Sequence, residues 1–233
     1  MQHLEVDGCS RRSSPLHRLD ARAKLVAVLI TLAFIGSARP WTVRHAAFYV
    51  LLSAVAALVA RLSWRGLSHR LALVLPFPVA FASLAWLSNG DPAHAAGLVT
   101  RSVVSASFAL ILIGVTPAPA ILDGAARLGV PGVMISVTQL LYRYLFVLLD
   151  QSVRVRNAAA CRGGFRWSAA AGAAAALFTS SEDRAERIHR ARLARGHQGT
   201  DRLLTQPIWR PADTFLVVGT SAALLTARLL WRL

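Results

Sequence analysis

"VMISVTQLLYRYLFVLLDQSVRVRNAAA", Val133–Ala160, decides the fold. It runs 28 residues without a proline or a glycine, so nothing in it interrupts a helix. Its first half is nearly all apolar, and its second half carries Asp150, Arg154 and Arg156. Leu141, Leu145, Leu148 and Leu149 share a face at helical spacing. One end of such a helix suits a place among membrane segments, and the other end suits water. Asp150 is either a buried functional charge or half of an i,i+4 pair with Arg154, and the pair is the simpler reading.

Gly163 and Gly164 stop this helix, because glycine takes the left-handed conformation that ends helices. A second helix is expected from Ser168 to Ala194. It opens on "AAAGAAAALF", whose small residues allow close approach by another helix. It closes on a solvated half in which Glu182, Glu186 and Arg190 stand at supporting spacing, and Gly196 ends it. Both helices therefore finish on arginine then glycine, "ACRGG" at Ala160–Gly164 and "LARGH" at Leu193–His197, with Arg162 and Arg195 33 residues apart. Each end alone is explained by a glycine terminator and a cation at the negative end of the helix dipole. Two such ends on consecutive helices also suit a partner with two equivalent pockets, since arginine presents a fork of donors to carboxylates and carbonyls.

Around this pair the chain is greasy. Over 233 residues it is 55% hydrophobic, and the apolar residues fall in runs near the length needed to cross a bilayer. The runs are Ala23–Ala38, about His45–Ala60, about Leu67–Leu87, about Leu98–Val115 and about Ala212–Leu230. "RPWTVR" separates the first two, Pro76 and Pro78 lie within the third, and "SNGDPAHAAG" (Ser88–Gly97) forms a turn before the fourth. No cleavable leader is evident, so the first run reads as a membrane segment.

Net charge is +15, from 26 basic and 11 acidic residues. In a soluble protein this would suggest nucleic acid. Here 13 of the 26 basic residues lie between Pro117 and Arg210, and Arg61, Arg65 and Arg70 follow the second run, whereas the loop after the third run has no cation. The positive-inside rule then places the amino terminus, the loop after the second run and the arginine-rich region in the cytoplasm. Five spans leave the carboxyl end outside. Arg39 and Arg44 oppose the rule weakly. The expected fold is all-α and polytopic, with about five transmembrane helices plus long cytoplasmic coupling helices. Its expected divisions are 1–116, 117–209 and 210–233.

Catalytic signatures do not occur. There is no GxxxxGK[ST], the only lysine is Lys24, and neither HExxH nor GxSxG is present. The two cysteines, Cys9 and Cys161, show neither disulfide nor zinc spacing, and Cys161 reads as a small packing residue. None of the seven histidines is paired at metal-ligand spacing. No catalytic residue, resident metal site or cofactor site is assigned.

Several stretches together resemble the transmembrane (T) component of energy-coupling-factor transporters, in the cobalt-type CbiQ family. They are "SPLHRLDARAKL" (Ser14–Leu25), "LGVPGVM" (Leu128–Met134), "YRYLFVLLDQ" (Tyr142–Gln151), "ACRGGF" (Ala160–Phe165) and "RAERIHRARLARG" (Arg184–Gly196). The resemblance implies a non-catalytic, multi-pass scaffold in the bacterial cytoplasmic membrane. Its two coupling helices would dock on two copies of an ATP-binding-cassette ATPase. Motion of the ATPase pair would pass through them to a separate membrane subunit that holds cobalt or nickel. It implies docking roles for Ala160, Cys161, Arg162 and Gly163, and for Ala194, Arg195 and Gly196. Cys161 stands where the family usually has alanine, and Arg192 where methionine is common. A shared T component serving vitamin-binding subunits is the nearer alternative. A basic membrane protein binding nucleic acid or anionic lipid is the remoter one, and it gives no reason for two matched helix ends.

Overall fold

The structure is a computed structural model that describes residues 19–38, 42–61, 63–90, 92–161, 167–196 and 211–230. Among the described residues every regular element is an α-helix: α1 (Ala21–Ser37), α2 (Val43–Val59), α3 (Trp64–Val74), α4 (Pro76–Asn89), α5 (Pro92–Val115), α6 (Ala118–Arg127), α7 (Gly132–Cys161), α8 (Trp167–Ala194) and α9 (Pro211–Leu230). The protein is an all-α polytopic membrane protein. The chain forms two compact units, one from residues 1–128 with 206–233 and one from residues 129–205.

In the first unit α5 is central and packs against α1, α2, α3 and α4. Ile35, Tyr49, Val104, Phe108 and Leu224 form one buried cluster, and Ala57, Ala60, Ile111 and Val115 form another. The outer faces are apolar: Leu51, Leu73, Phe77, Leu87, Phe215 and Leu229 are all exposed. That inverts the pattern of a water-soluble domain and suits a hydrocarbon solvent, in which packing rather than water exclusion holds helices together.

By length and composition, α5, α7 and α9 can each cross a bilayer, and α3 with α4 passes the same test as one span bent by 44°. The bend falls at Leu75–Pro76, where Pro76 opens α4 without an amide hydrogen to give. The third apolar run is thus two helices bent at Pro76, not a single helix. α1 and α2 are 17 residues each, about 25 Å at 1.5 Å per residue. The expected turn at Ser88–Gly97 is shorter in the structure. Gly90, at φ +67°, closes α4, and α5 already begins at Pro92. α7 is also apolar enough to span, which fits the expected membrane character of its first half.

α1 and α9 lie side by side and run in the same direction. At their starts the Asp20 amide donates to Asp213 Oδ1 at 2.8 Å. At their ends Arg228 Nη1 donates to Ser37 Oγ at 2.9 Å, and its guanidinium lies over the Phe34 ring. Asp20 is the N-cap of α1, with its side chain accepting from the Arg22 amide at 3.1 Å. Arg101 of α5 donates to the Ile35 carbonyl at 2.5 Å and to the Gly36 carbonyl. These are two of the carbonyls that the end of α1 leaves without helical partners.

Candidate functional site

The second unit consists of the two long helices, 30 residues in α7 and 28 in α8. Their bounds match the expected Val133–Ala160 and Ser168–Ala194 within a residue or two. Gln151 Nε2 of α7 donates to Ser180 Oγ of α8 at 2.9 Å, a partly buried bond that fixes where the helices meet. Gln151 Oε1 is buried there without a hydrogen-bond partner. Arg190 pairs with Glu186 one turn earlier on α8, as the spacing required; both side chains are exposed, so the pair adds little stability. Asp150 is exposed within this unit.

Of the residues expected to dock, the structure describes Ala160, Cys161, Ala194, Arg195 and Gly196, at the ends of these helices. α7 closes with Ala160 and Cys161, both exposed. Cys161 is an exposed free thiol at the end of α7 and is not packed within this unit, contrary to its reading as a small packing residue. Arg162 and Gly163, and the Gly164 stop signal, lie outside the described residues. α8 ends with Ala194, and Arg195 and Gly196 follow in a tight turn, all three exposed. The Arg195 amide donates to the Arg192 carbonyl at 3.1 Å and the Gly196 amide to the Leu193 carbonyl at 2.9 Å. Gly196 has φ +72°, the left-handed conformation expected of a terminating glycine. A side chain added there would meet nothing within 4 Å, so backbone conformation alone demands glycine. The result is an arginine on a short, defined turn that projects past the helix.

A second polar constellation, missed from the sequence, lies inside the first unit. Asp213 is 1% exposed, Lys24 6% and Asp20 7%. The Lys24 ammonium lies within electrostatic reach of both carboxylates. α6 closes on the same place. Gly124 faces the first turn of α1 so closely that a Cβ would stand 3.3 Å from the Arg22 nitrogen. The available signals were an acid two residues after Pro211, at the head of an apolar run, and the chain's only lysine, at the head of another. A cavity of about 90 Å³ beside Lys24 is walled by Ala27, Thr31, Phe108, Ile111 and Leu216. Among the described residues no group of three His, Cys, Asp or Glu side chains could hold a metal ion.

These features define a multi-pass helical membrane protein that carries two long helices with exposed small-residue and arginine–glycine ends. The family profile described as "Cobalt transport protein", CbiQ, matches residues 12–206, and the chain belongs to this family. It is 34% identical over 150 residues to "Cobalt transport protein CbiQ" of Rhodobacter capsulatus, a match covering 62% of each chain. It is 25% identical over 228 residues to an uncharacterised protein of Methanocaldococcus jannaschii, covering 85% of this chain and 76% of that one. α9, with Asp213, lies beyond the family match.

Proposed function

We propose that this chain is the energy-coupling transmembrane subunit of an ATP-driven importer for cobalt or nickel ions in the bacterial cytoplasmic membrane. In this reading it performs no catalysis. Two ATP-binding-cassette subunits hydrolyse ATP, and a separate membrane subunit binds the ion. The arginine-rich segments face the cytoplasm, where the ATPases are. Ala160, Cys161, Arg162 and Gly163 form one docking tip, and Ala194, Arg195 and Gly196 form the other.

One observation carries the reading. A CbiQ-family chain presents a two-helix unit, tied internally at Gln151–Ser180, whose described ends are exposed and whose second end is a glycine-terminated arginine turn. A small residue beside each arginine lets a partner surface close around it. The guanidinium fork then meets carboxylates or carbonyls at the floor of a groove. Closure of the ATPase pair would draw the two tips together, and the helices would carry that displacement toward the membrane. The family description favours a metal ion over a vitamin as cargo.

The test is co-purification with candidate ATPase and ion-binding subunits, followed by uptake of cobalt and of nickel into vesicles. Charge reversal at Arg162 and Arg195 together should abolish ATP-driven uptake while membrane insertion persists. Uptake unchanged in that double variant refutes the docking assignment. Vitamin uptake without metal uptake would move the cargo to the alternative class.

A further inference from the structure

The buried polar group at the start of α1 has a position that its neighbours make informative. The two-helix unit, residues 129–205, is an insertion within the first unit. α6 is the last helix before it, and α9 is the first described helix after it. Both are seated on one turn of α1. α6 reaches it through Gly124 against Ala21 and Arg22, and α9 through Asp213 against the Asp20 amide. Lys24, one turn into α1, is buried and is attracted by both carboxylates.

Stability alone does not call for charges here. Replacing a buried ion pair by hydrocarbon of similar volume is often neutral or stabilising. Ions differ from hydrocarbon in directionality. Two apolar helices in a membrane can slide along each other with little change in contact. A carboxylate held on one backbone amide beside a buried ammonium resists such sliding, because a small shift leaves buried polar groups unpaired. A displacement arriving along the chain at α6 or at α9 would load the contacts these helices make with α1.

We propose that Asp20, Lys24 and Asp213 form a rigid root that transmits displacement of the inserted two-helix unit into the membrane unit, making all three positioning residues for energy coupling. This rests on the coupling role proposed above. The root fixes the first turn of α1 to the start of α9, so a force arriving through α6 or α9 moves α1 as a body.

The experiment uses the complete complex, with ATPase and ion-binding subunits, in vesicles. It measures ATP hydrolysed and metal transported for each variant. K24M/D213L replaces two of the three buried ions by hydrocarbon and leaves the Asp20 carboxylate to the Arg22 guanidinium, 3.9 Å away. This variant should assemble and hydrolyse ATP, with metal transported per ATP falling by roughly tenfold, within the usual range of coupling free energies. K24R keeps the cation and should recover most of the ratio. S37A/R228L removes the pin at the other end of the same helix pair and should leave the ratio unchanged. The proposal is overturned if K24M/D213L transports at the unsubstituted ratio. It is also overturned if S37A/R228L uncouples equally, or if K24M/D213L fails to assemble, since the group then merely holds the fold. If the unsubstituted chain itself captures no ATPase, the coupling role is at fault and not the root alone.

Discussion

Replacing Gly196 by alanine isolates one physical requirement of the second tip. The space around Gly196 is open, so a methyl group meets nothing. The backbone is left-handed at φ +72°, so alanine must either hold that conformation or release the turn. Holding it costs about 1–2 kcal/mol, which lowers the ratio of formed to open turn by a factor of about 5–30. The turn's two hydrogen bonds, Arg195 amide to Arg192 and Gly196 amide to Leu193, would open together and leave Arg195 without a fixed direction. In the proposed docking role, affinity for an ATPase subunit should fall by up to the same factor, because only the formed turn would dock. Asparagine tolerates the left-handed region better, so Gly196→Asn should lose less than Gly196→Ala. The assay is titration of detergent-purified protein with labelled ATPase, beside hydrogen exchange of the α8 end. Equal affinities for the alanine and asparagine variants, or faster exchange in alanine with no loss of binding, would refute the claim that the turn positions Arg195.

Three further outcomes follow from contacts elsewhere. Ser180→Ala strips the partner from Gln151, whose Oε1 already lacks one, and should cost about 1–3 kcal/mol, whereas Gln151→Leu removes both buried polar atoms and should cost less; the order of thermal unfolding midpoints checks this. Arg101→Leu leaves the Ile35 and Gly36 carbonyls without their charged donor and should lower stability by about 1.5–3 kcal/mol per bond lost, with Arg101→Lys intermediate in the same unfolding assay. Gly124→Leu should cost about 1–3 kcal/mol through overpacking, because even a Cβ there would stand 3.3 Å from main-chain nitrogen; denaturant unfolding of the purified protein checks it.

The long helices and their ends were legible because they depend on local rules. An uninterrupted stretch gave α7, small residues followed by a solvated half gave α8, and Gly196 gave the second terminus. The break in the third apolar run was less legible. Proline is tolerated in membrane helices, and only the neighbouring packing decides whether the chain bends at Leu75–Pro76. The short α6 carried no apolar run and was absorbed into the arginine-rich region. Arg101 was invisible as a cap because its partners, the Ile35 and Gly36 carbonyls, are more than sixty residues away. The Asp20–Asp213 contact joins residues 193 apart, and no local period reports such a contact. The tip expected at Arg162–Gly163 rests on its motif and lies outside the described residues.

The arginines of this chain show why a charge at a helix end is not by itself a docking signal. Arg101 lies against the final carbonyls of α1, and Arg228, at the end of α9, is engaged by Ser37 and the Phe34 ring. Both sit at the negative ends of helices, and both are spent inside the fold. Arg192 and Arg195 satisfy the same dipole argument at the end of α8, so that argument cannot choose between them. Geometry does. Arg192 lies within the helix and is partly buried, while Arg195 is exposed on the turn beyond it, which the left-handed Gly196 closes. A partner groove that accepts one guanidinium would therefore take Arg195. Arg195→Gln should then weaken ATPase capture far more than Arg192→Gln, although the two substitutions remove the same charge from the same helix end. Equal losses, measured side by side at low and at physiological salt, would show that the α8 end attracts its partner by charge density and has no fitted tip.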